Sequence, residues 1–172
     1  STGNPLGAAF DVTAATNDTL SPPSVAMDSS GDFVVTWSDS YYNLSSSLGG
    51  GAQSSTIFAQ RFDAAGTPAG GPITVAQNLT DRFAVSAPDV ATDDAGDLLI
   101  SWTDRLFVAN PNSGGRFTTQ IHASRLDASN NPIFSDILVS PTGQTAADSA
   151  VAMDARGDAV ITWDARYGSG DT

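Results

Sequence analysis

Apolar residues in this chain fall in short runs between turn-forming clusters, and the runs repeat. Val25-Ala26-Met27 leads into Asp28-Ser29-Ser30-Gly31-Asp32 and then into Phe33-Val34-Val35-Thr36-Trp37. The same order returns as Val90-Ala91-Thr92, Asp93-Asp94-Ala95-Gly96-Asp97 and Leu98-Leu99-Ile100-Ser101-Trp102. A third copy reads Val151-Ala152-Met153, Asp154-Ala155-Arg156-Gly157-Asp158 and Ala159-Val160-Ile161-Thr162-Trp163. Runs of this length bounded by Gly, Asp and Ser predict strands rather than helices. Each copy therefore reads as a first strand, a tight turn and a second strand that closes on tryptophan. A fixed period of this kind marks a repeat architecture.

The second half of the unit recurs as well. Ile57-Phe58-Ala59-Gln60-Arg61-Phe62-Asp63-Ala64-Ala65-Gly66-Thr67-Pro68 matches Ile121-His122-Ala123-Ser124-Arg125-Leu126-Asp127-Ala128-Ser129-Asn130-Asn131-Pro132. A short strand follows each, Pro72 to Val75 and Asp136 to Val139, so a full unit holds four strands. Phe10-Asp11-Val12 aligns with Ile73-Thr74-Val75 and is expected to be a fourth strand. The chain is thus expected to form one repeat domain over 1–172. Its units are 1–20 (partial, fourth strand), 21–83, 84–147 and 148–172 (partial, first and second strands). The second strands are apolar on both faces, which predicts layers above and below them and three tryptophans buried in equivalent places between neighbouring sheets. Segments 38–56 and 103–120 are rich in Ser, Gly, Asn and Tyr and differ from each other. They are expected to be loops, where a repeat scaffold places recognition.

Composition sharpens the fold class. The chain has 172 residues, 40% of them hydrophobic, enough for a folded domain. All 19 acidic residues are Asp and all seven basic residues are Arg. With Glu and Lys absent, two good helix formers are lost, while Asp, Gly, Ser, Thr and Val favour turns and strands. The expected class is all-β, built from four-stranded antiparallel blades. A net charge of −12 and a pI near 4.1 oppose nucleic acid and anionic membranes. No apolar run approaches the roughly 20 residues of a membrane span, so no membrane insertion is expected. The acidity suits a secreted or cell-surface protein and leaves room for divalent cations. The absence of cysteine excludes disulfides and thiolate chemistry.

Four-stranded meanders at a regular period characterise β-propeller blades. The pattern of strand, Asp-x-x-Gly-Asp turn and strand is carried here by Asp28, Gly31, Asp32, by Asp93, Gly96, Asp97 and by Asp154, Gly157, Asp158. It resembles the blade repeats of bacterial secreted and cell-surface propeller proteins of the NHL and related types, and repeats in very large bacterial surface and matrix proteins. The resemblance spans the chain and implies a propeller-like array of about three units. A closed ring takes roughly four to eight blades, so closure by this chain alone is not expected. The period is also longer than in those families.

Candidate chemistry is sparse. The Asp-x-x-Gly-Asp turns read first as hairpin turns, with Asp accepting backbone N–H bonds and Gly in the left-handed conformation. Calcium is the alternative, since it takes carboxylate and carbonyl oxygens, and Asp93, Asp94 and Asp97 are its best candidates. Arg61 and Arg125 recur in the third strand, Asp39 and Asp104 in the second, which predicts a cross-strand ion pair fixing register. His122 replaces Phe58 of the other unit and is read as a packing or surface residue. With one histidine, no cysteine and no Glu, no hydrolytic constellation stands out. Arg156-Gly157-Asp158 spells an adhesive tripeptide inside an obligatory turn. Sequons begin at Asn17, Asn43 and Asn78. Tyr41, Tyr42, Phe107 and Tyr167 lie beyond the tryptophans and form a candidate sugar platform, with capping of the sheet edge as the plainer reading.

The expected function is an extracellular structural or adhesive repeat segment without catalytic residues, partnered by copies of itself or by further repeats. A lectin-like carbohydrate-binding module is one alternative, and a non-catalytic part of a secreted hydrolase another. Both terminal strands are expected to be completed from outside these residues, giving a ring or a fibre.

Overall fold

Eleven strands and no helix make up the described part of the computed structural model, residues 7–13, 19–43, 52–77, 82–108 and 115–166. The first sheet contains β1 (Thr19–Leu20), β2 (Ser24–Met27), β3 (Phe33–Asn43), β4 (Ala52–Phe62) and β5 (Ile73–Gln77). β1 and β2 pair with successive parts of β3, and β3, β4 and β5 follow as a meander. The second sheet is the meander β6 (Arg82–Thr92), β7 (Leu98–Val108), β8 (Arg116–Leu126) and β9 (Pro132–Leu138). The third is the hairpin β10 (Thr145–Met153) and β11 (Ala159–Arg166). Every pairing is antiparallel, so the all-β class and the four-stranded antiparallel unit are present as read from the sequence.

The first strand is longer than its apolar core. In β6 the register shifts between Ser86 and Asp89, and in β10 between Ala147 and Ala150, with Ala87 and Asp148 at φ 49° and 54°. These are bulges that let one strand bend and continue. Ser21-Pro22-Pro23 holds the same place in the first sheet. Proline has no N–H for the ladder, so the strand splits there into β1 and β2. First strands consequently start at Thr19, Arg82 and Thr145, ahead of the expected unit starts at 21, 84 and 148.

Two other expectations change. Residues 7–13 contain no strand; Phe10 stays exposed, its ring 5.5 Å from that of Phe62. Segments 38–56 and 103–120 are mostly strand. β3 runs to Asn43 against β4 from Ala52, and β7 to Val108 against β8 from Arg116. Backbone pairing continues there past the apolar part of each strand.

The sheets stack face to face. Val34, Ile57 and Ala59 of the first pack against Val85, Val90, Leu98, Ile100 and Trp102 of the second. On the far side of β7 and β8, Leu99, Ser101, Thr103, Ile121 and Ala123 are buried too, and β10 crosses β6, β7 and β8. The middle sheet is covered on both faces, which is why β7 reads as a near-continuous apolar run. Outer faces differ: Val25 and Met27 are 63% and 64% exposed, whereas Val90, which matches Val25 in the repeat, is 4% exposed. Trp102 is buried at the sheet junction as expected. Trp37 is buried too, but on the outer face that carries Val25 and Met27, and Trp163 is only half-buried, in a sheet that has two strands among the described residues.

Candidate functional site

One turn geometry serves five hairpins: 28–32, 63–67, 93–97, 127–131 and 154–158. In each, the leading Asp donates its N–H to the carbonyl of the fifth residue and accepts the N–H of the fourth on its own carbonyl. Its Oδ1 accepts the N–H groups of the third and fifth residues at 2.7–3.0 Å. The fourth position is left-handed, φ 82° at Gly96 and 68° at Asn130, which only glycine and, at some cost, asparagine adopt readily. The turns at Asp63 and Asp127 lie in the matched second halves of the units, so the shared Asp-x-x-Gly/Asn spelling was visible there.

These hydrogen bonds favour the ionised carboxylate. Asp28 is held below the ordinary aspartate range chiefly by the Ser30 hydroxyl, Asp63 by the Thr67 N–H, Asp127 by the Asn131 side chain and Asp154 by the Arg156 N–H. A folded-state pKa below the unfolded value gives stability that is complete above the unfolded pKa, about 3.9, and lost as pH falls through the lower folded value. The melting temperature is therefore expected to hold between pH 7 and pH 5 and to fall below about pH 4. Asp28→Asn with Asp154→Asn keeps an oxygen acceptor in each turn and should flatten that acid slope. An unchanged slope in the double variant would place its origin elsewhere.

Register overturns the expected Arg–Asp pairs. Arg61 lies opposite Val34 and Asp39 opposite Thr56; Arg125 lies opposite Leu99 and Asp104 opposite Gln120. Because the strands are antiparallel, the arginines sit at the turn end and the aspartates five residues up the ladder, about 17 Å away. The arginines reach into the next sheet instead. Arg61 Nη1 donates to the Gly96 carbonyl (2.8 Å), Nη2 to the Asp127 carbonyl (3.0 Å) and Nε to Asn130 Oδ1 (2.8 Å). Arg125 Nη1 donates to the Gly157 carbonyl (3.1 Å), the equivalent atom one unit on. Its Nη2 faces Asp93 Oδ2 and Asp97 Oδ2, both at 3.4 Å. Both sheet junctions are thus bridged by a guanidinium on the main-chain carbonyl of the following turn. Burial lowers the pKa of Arg61, and the charges of Asp97 and Asp127 oppose that fall.

The aspartates singled out for calcium are divided by the same contact. Asp93 and Asp97 face Arg125, and Asp94 is exposed. Among the described residues no group of three or more His, Asp or Glu side chains is placed to hold a metal ion. A cleft of about 390 Å³ at the turn end of the first junction is lined by Asp28, Asp32, Asp63, Asp94 and Arg61.

A second junction lies at the bulges. Ser24 Oγ donates to Asp89 Oδ1, while Asp89 Oδ2 accepts the Val151 N–H at 2.8 Å, so one carboxylate ties the first strands of all three sheets. Pro22, Pro23, Ala87, Pro88, Asp148 and Ser149 surround it in a cleft of about 460 Å³. Sequence reasoning passed over Asp89, although it heads the second copy where Ser24 heads the first.

His122 is buried, its Nδ1 2.8 Å from Asp136 Oδ1 and its Nε2 3.8 Å from the fully buried Asp104. It stacks on Trp102 as Phe58 stacks on Trp37, with centroids 6.2 and 5.7 Å apart. Packing is therefore its role in part. Its polar partner Asp136 went unremarked, though Asp136 and His122 depart together from Pro72 and Phe58.

Of the aromatic candidates, Tyr41 and Phe107 are exposed, on different sheets. The Tyr42 side chain and Tyr167 lie outside the described residues, as do Asn17 and Asn78. Phe107 meets Phe117 edge-on at 5.3 Å, and the Arg105 guanidinium sits 4.1 Å over the Phe117 ring. Phe117 was missed because 103–120 reads as a loop; extending the pairing of Trp102 with His122 places it opposite Phe107. In the exposed Arg156-Gly157-Asp158 turn, the arginine folds back on Asp154 Oδ2 at 3.3 Å. A scan against protein-family models finds no match to this chain, and a search of curated proteins finds none either.

Proposed function

We propose that this chain is an extracellular structural or adhesive repeat segment that works by stacking sheet on sheet with further units of its own kind. The observation that carries the reading is the arginine-to-carbonyl bridge, made twice with equivalent atoms, at Gly96 and at Gly157. Contacts that recur once per unit are what a linear array of interchangeable modules uses. The meeting of three first strands around Asp89, two of them bulged and one split at Pro22-Pro23, supports a propeller-like arrangement with those strands innermost, of the bacterial surface-protein type that the turns resemble. The exposed Val25 and Met27 supply an apolar outer face of the kind buried at the internal junctions.

Sedimentation equilibrium tests this. The chain, 17.6 kDa as a monomer, is expected to show mass that rises with concentration, and Val25→Asp with Met27→Asp to suppress the rise. A constant monomer mass over micromolar to millimolar concentration would sink the stacking role. A lectin-like second reading is favoured by the exposed Phe107–Phe117 pair with Arg105 above it. A glycan array separates it: binding lost in Phe117→Ala supports a sugar platform.

A further inference from the structure

The two arginine bridges share the Nη1 contact to the following turn's carbonyl and differ at Nη2 and Nε. Arg61 uses all of its guanidinium nitrogens on the following sheet: two carbonyls and, at Nε, the side-chain oxygen of Asn130. Asn130 belongs to that sheet's second hairpin, the turn between β8 and β9. Arg125 makes the carbonyl contact to Gly157, yet its Nε is buried and has no hydrogen-bond partner among the described residues. A buried donor without an acceptor is costly and rare in a folded protein, so such a group points to a partner that is not among the described residues. The described part of the third sheet consists of β10 and β11, and beside β11 lies the position that β4 holds next to β3 and β8 next to β7. The edge of β11 that has no partner among the described residues and the unsatisfied Nε therefore face the same place.

We infer that β11 is an acceptor edge for a third-and-fourth-strand hairpin of this same repeat, one whose turn has the spelling Asp-x-x-Asn, with the asparagine oxygen completing Arg125. This rests on the stacking reading above and narrows it to a partner of stated chemistry. The occupant is fixed by continuity with the first junction. It pairs antiparallel with Ala159–Arg166, as β8 pairs with β7, and it brings its turn against Arg125 as 127–131 is brought against Arg61. A turn with glycine at its fourth position, such as 63–67, has the same backbone but no side-chain oxygen there for Nε. The site therefore discriminates between the two hairpin types this sequence contains.

A peptide of residues 115–140 titrated into the full chain tests the inference. The peptide has no tryptophan, so the emission of the chain reports binding through the half-buried Trp163. Saturable binding with a blue shift is expected. An Asn130→Gly peptide, which keeps the left-handed turn residue unstrained, should bind roughly tenfold more weakly, and Asn130→Asp should restore binding. Against an Arg125→Lys chain, which keeps the charge but lacks Nε, the Asn and Gly peptides should bind alike. Equal binding of both peptides to the unaltered chain would overturn the Arg125–Asn pairing while leaving strand addition, and hence stacking, in place. Absence of saturable binding by either peptide overturns the inference outright; the stacking role is then judged separately by sedimentation.

Discussion

Trp102→Ala is expected to lower the stability of the fold by about 3–5 kcal/mol, the usual cost of emptying a fully buried indole site. Trp102 has no exposed surface and belongs to the cluster joining Val34, Ile57 and Ala59 of the first sheet to Leu98 and Ile100 of the second. It also stacks on His122, so its removal loosens both a sheet junction and the Trp102–His122 pairing that anchors β7 on β8. For a chain of this size the loss corresponds to a fall in melting temperature of roughly 10 °C or more. Trp102→Phe should cost much less, because the indole N–H is buried without a hydrogen-bond partner among the described residues and phenylalanine removes that donor. Scanning calorimetry of the two variants checks both statements. Equal losses for Phe and Ala would mean that the fit of the whole indole, rather than apolar volume, holds the junction.

Arg125→Ala has the second largest expected effect, roughly 2–4 kcal/mol. The substitution strips the Gly157 carbonyl of its donor and leaves the buried Asp93 carboxylate without its cation. The loss should be local. Amide exchange is expected to accelerate in β10 and β11, whose attachment depends on the bridge, more than in β3 and β4, which lie beyond the other junction. Arg61→Ala should reverse the pattern, loosening the first sheet from the second. Uniform acceleration after either change would show that the arginines support the whole fold and do not join particular sheets.

The strand class, the four-stranded unit and the burial of the middle sheet were legible because each leaves a local mark. Leu98 to Trp102 is apolar on both faces, and Asp-x-x-Gly has the spelling of one turn. Extended strands beyond the tryptophans were not legible. Ser38 to Asn43 and Thr103 to Val108 each open on a polar run and show no alternation of polar and apolar residues, so no strand period marks them, while their pairing is made by the backbone. The destination of Arg61 and Arg125 was hidden for another reason. Periodicity told that the arginines were equivalent but not which way they point, and a main-chain acceptor has no residue letter to match with them. Asp89 and the Asp136–His122 pair could have been found from departures between copies, since Ser24, Pro72 and Phe58 stand in the corresponding places.

That main-chain acceptor also bears on how such a chain can change over generations. The carbonyls of Gly96 and Gly157 sit where they do because the turn closes, whatever residues occupy its two middle positions, here Asp94-Ala95 and Ala155-Arg156. A unit therefore carries a socket set by its backbone and a plug set by one arginine, and duplication of a unit copies both at once. Middle residues of the turn are free to diverge on the surface, as they do between these copies, without altering the joint. Lengthening, shortening or reordering the array then keeps the carbonyl half of the joint without matched substitutions, and only the Nε contact to a hairpin asparagine depends on a side chain across the seam.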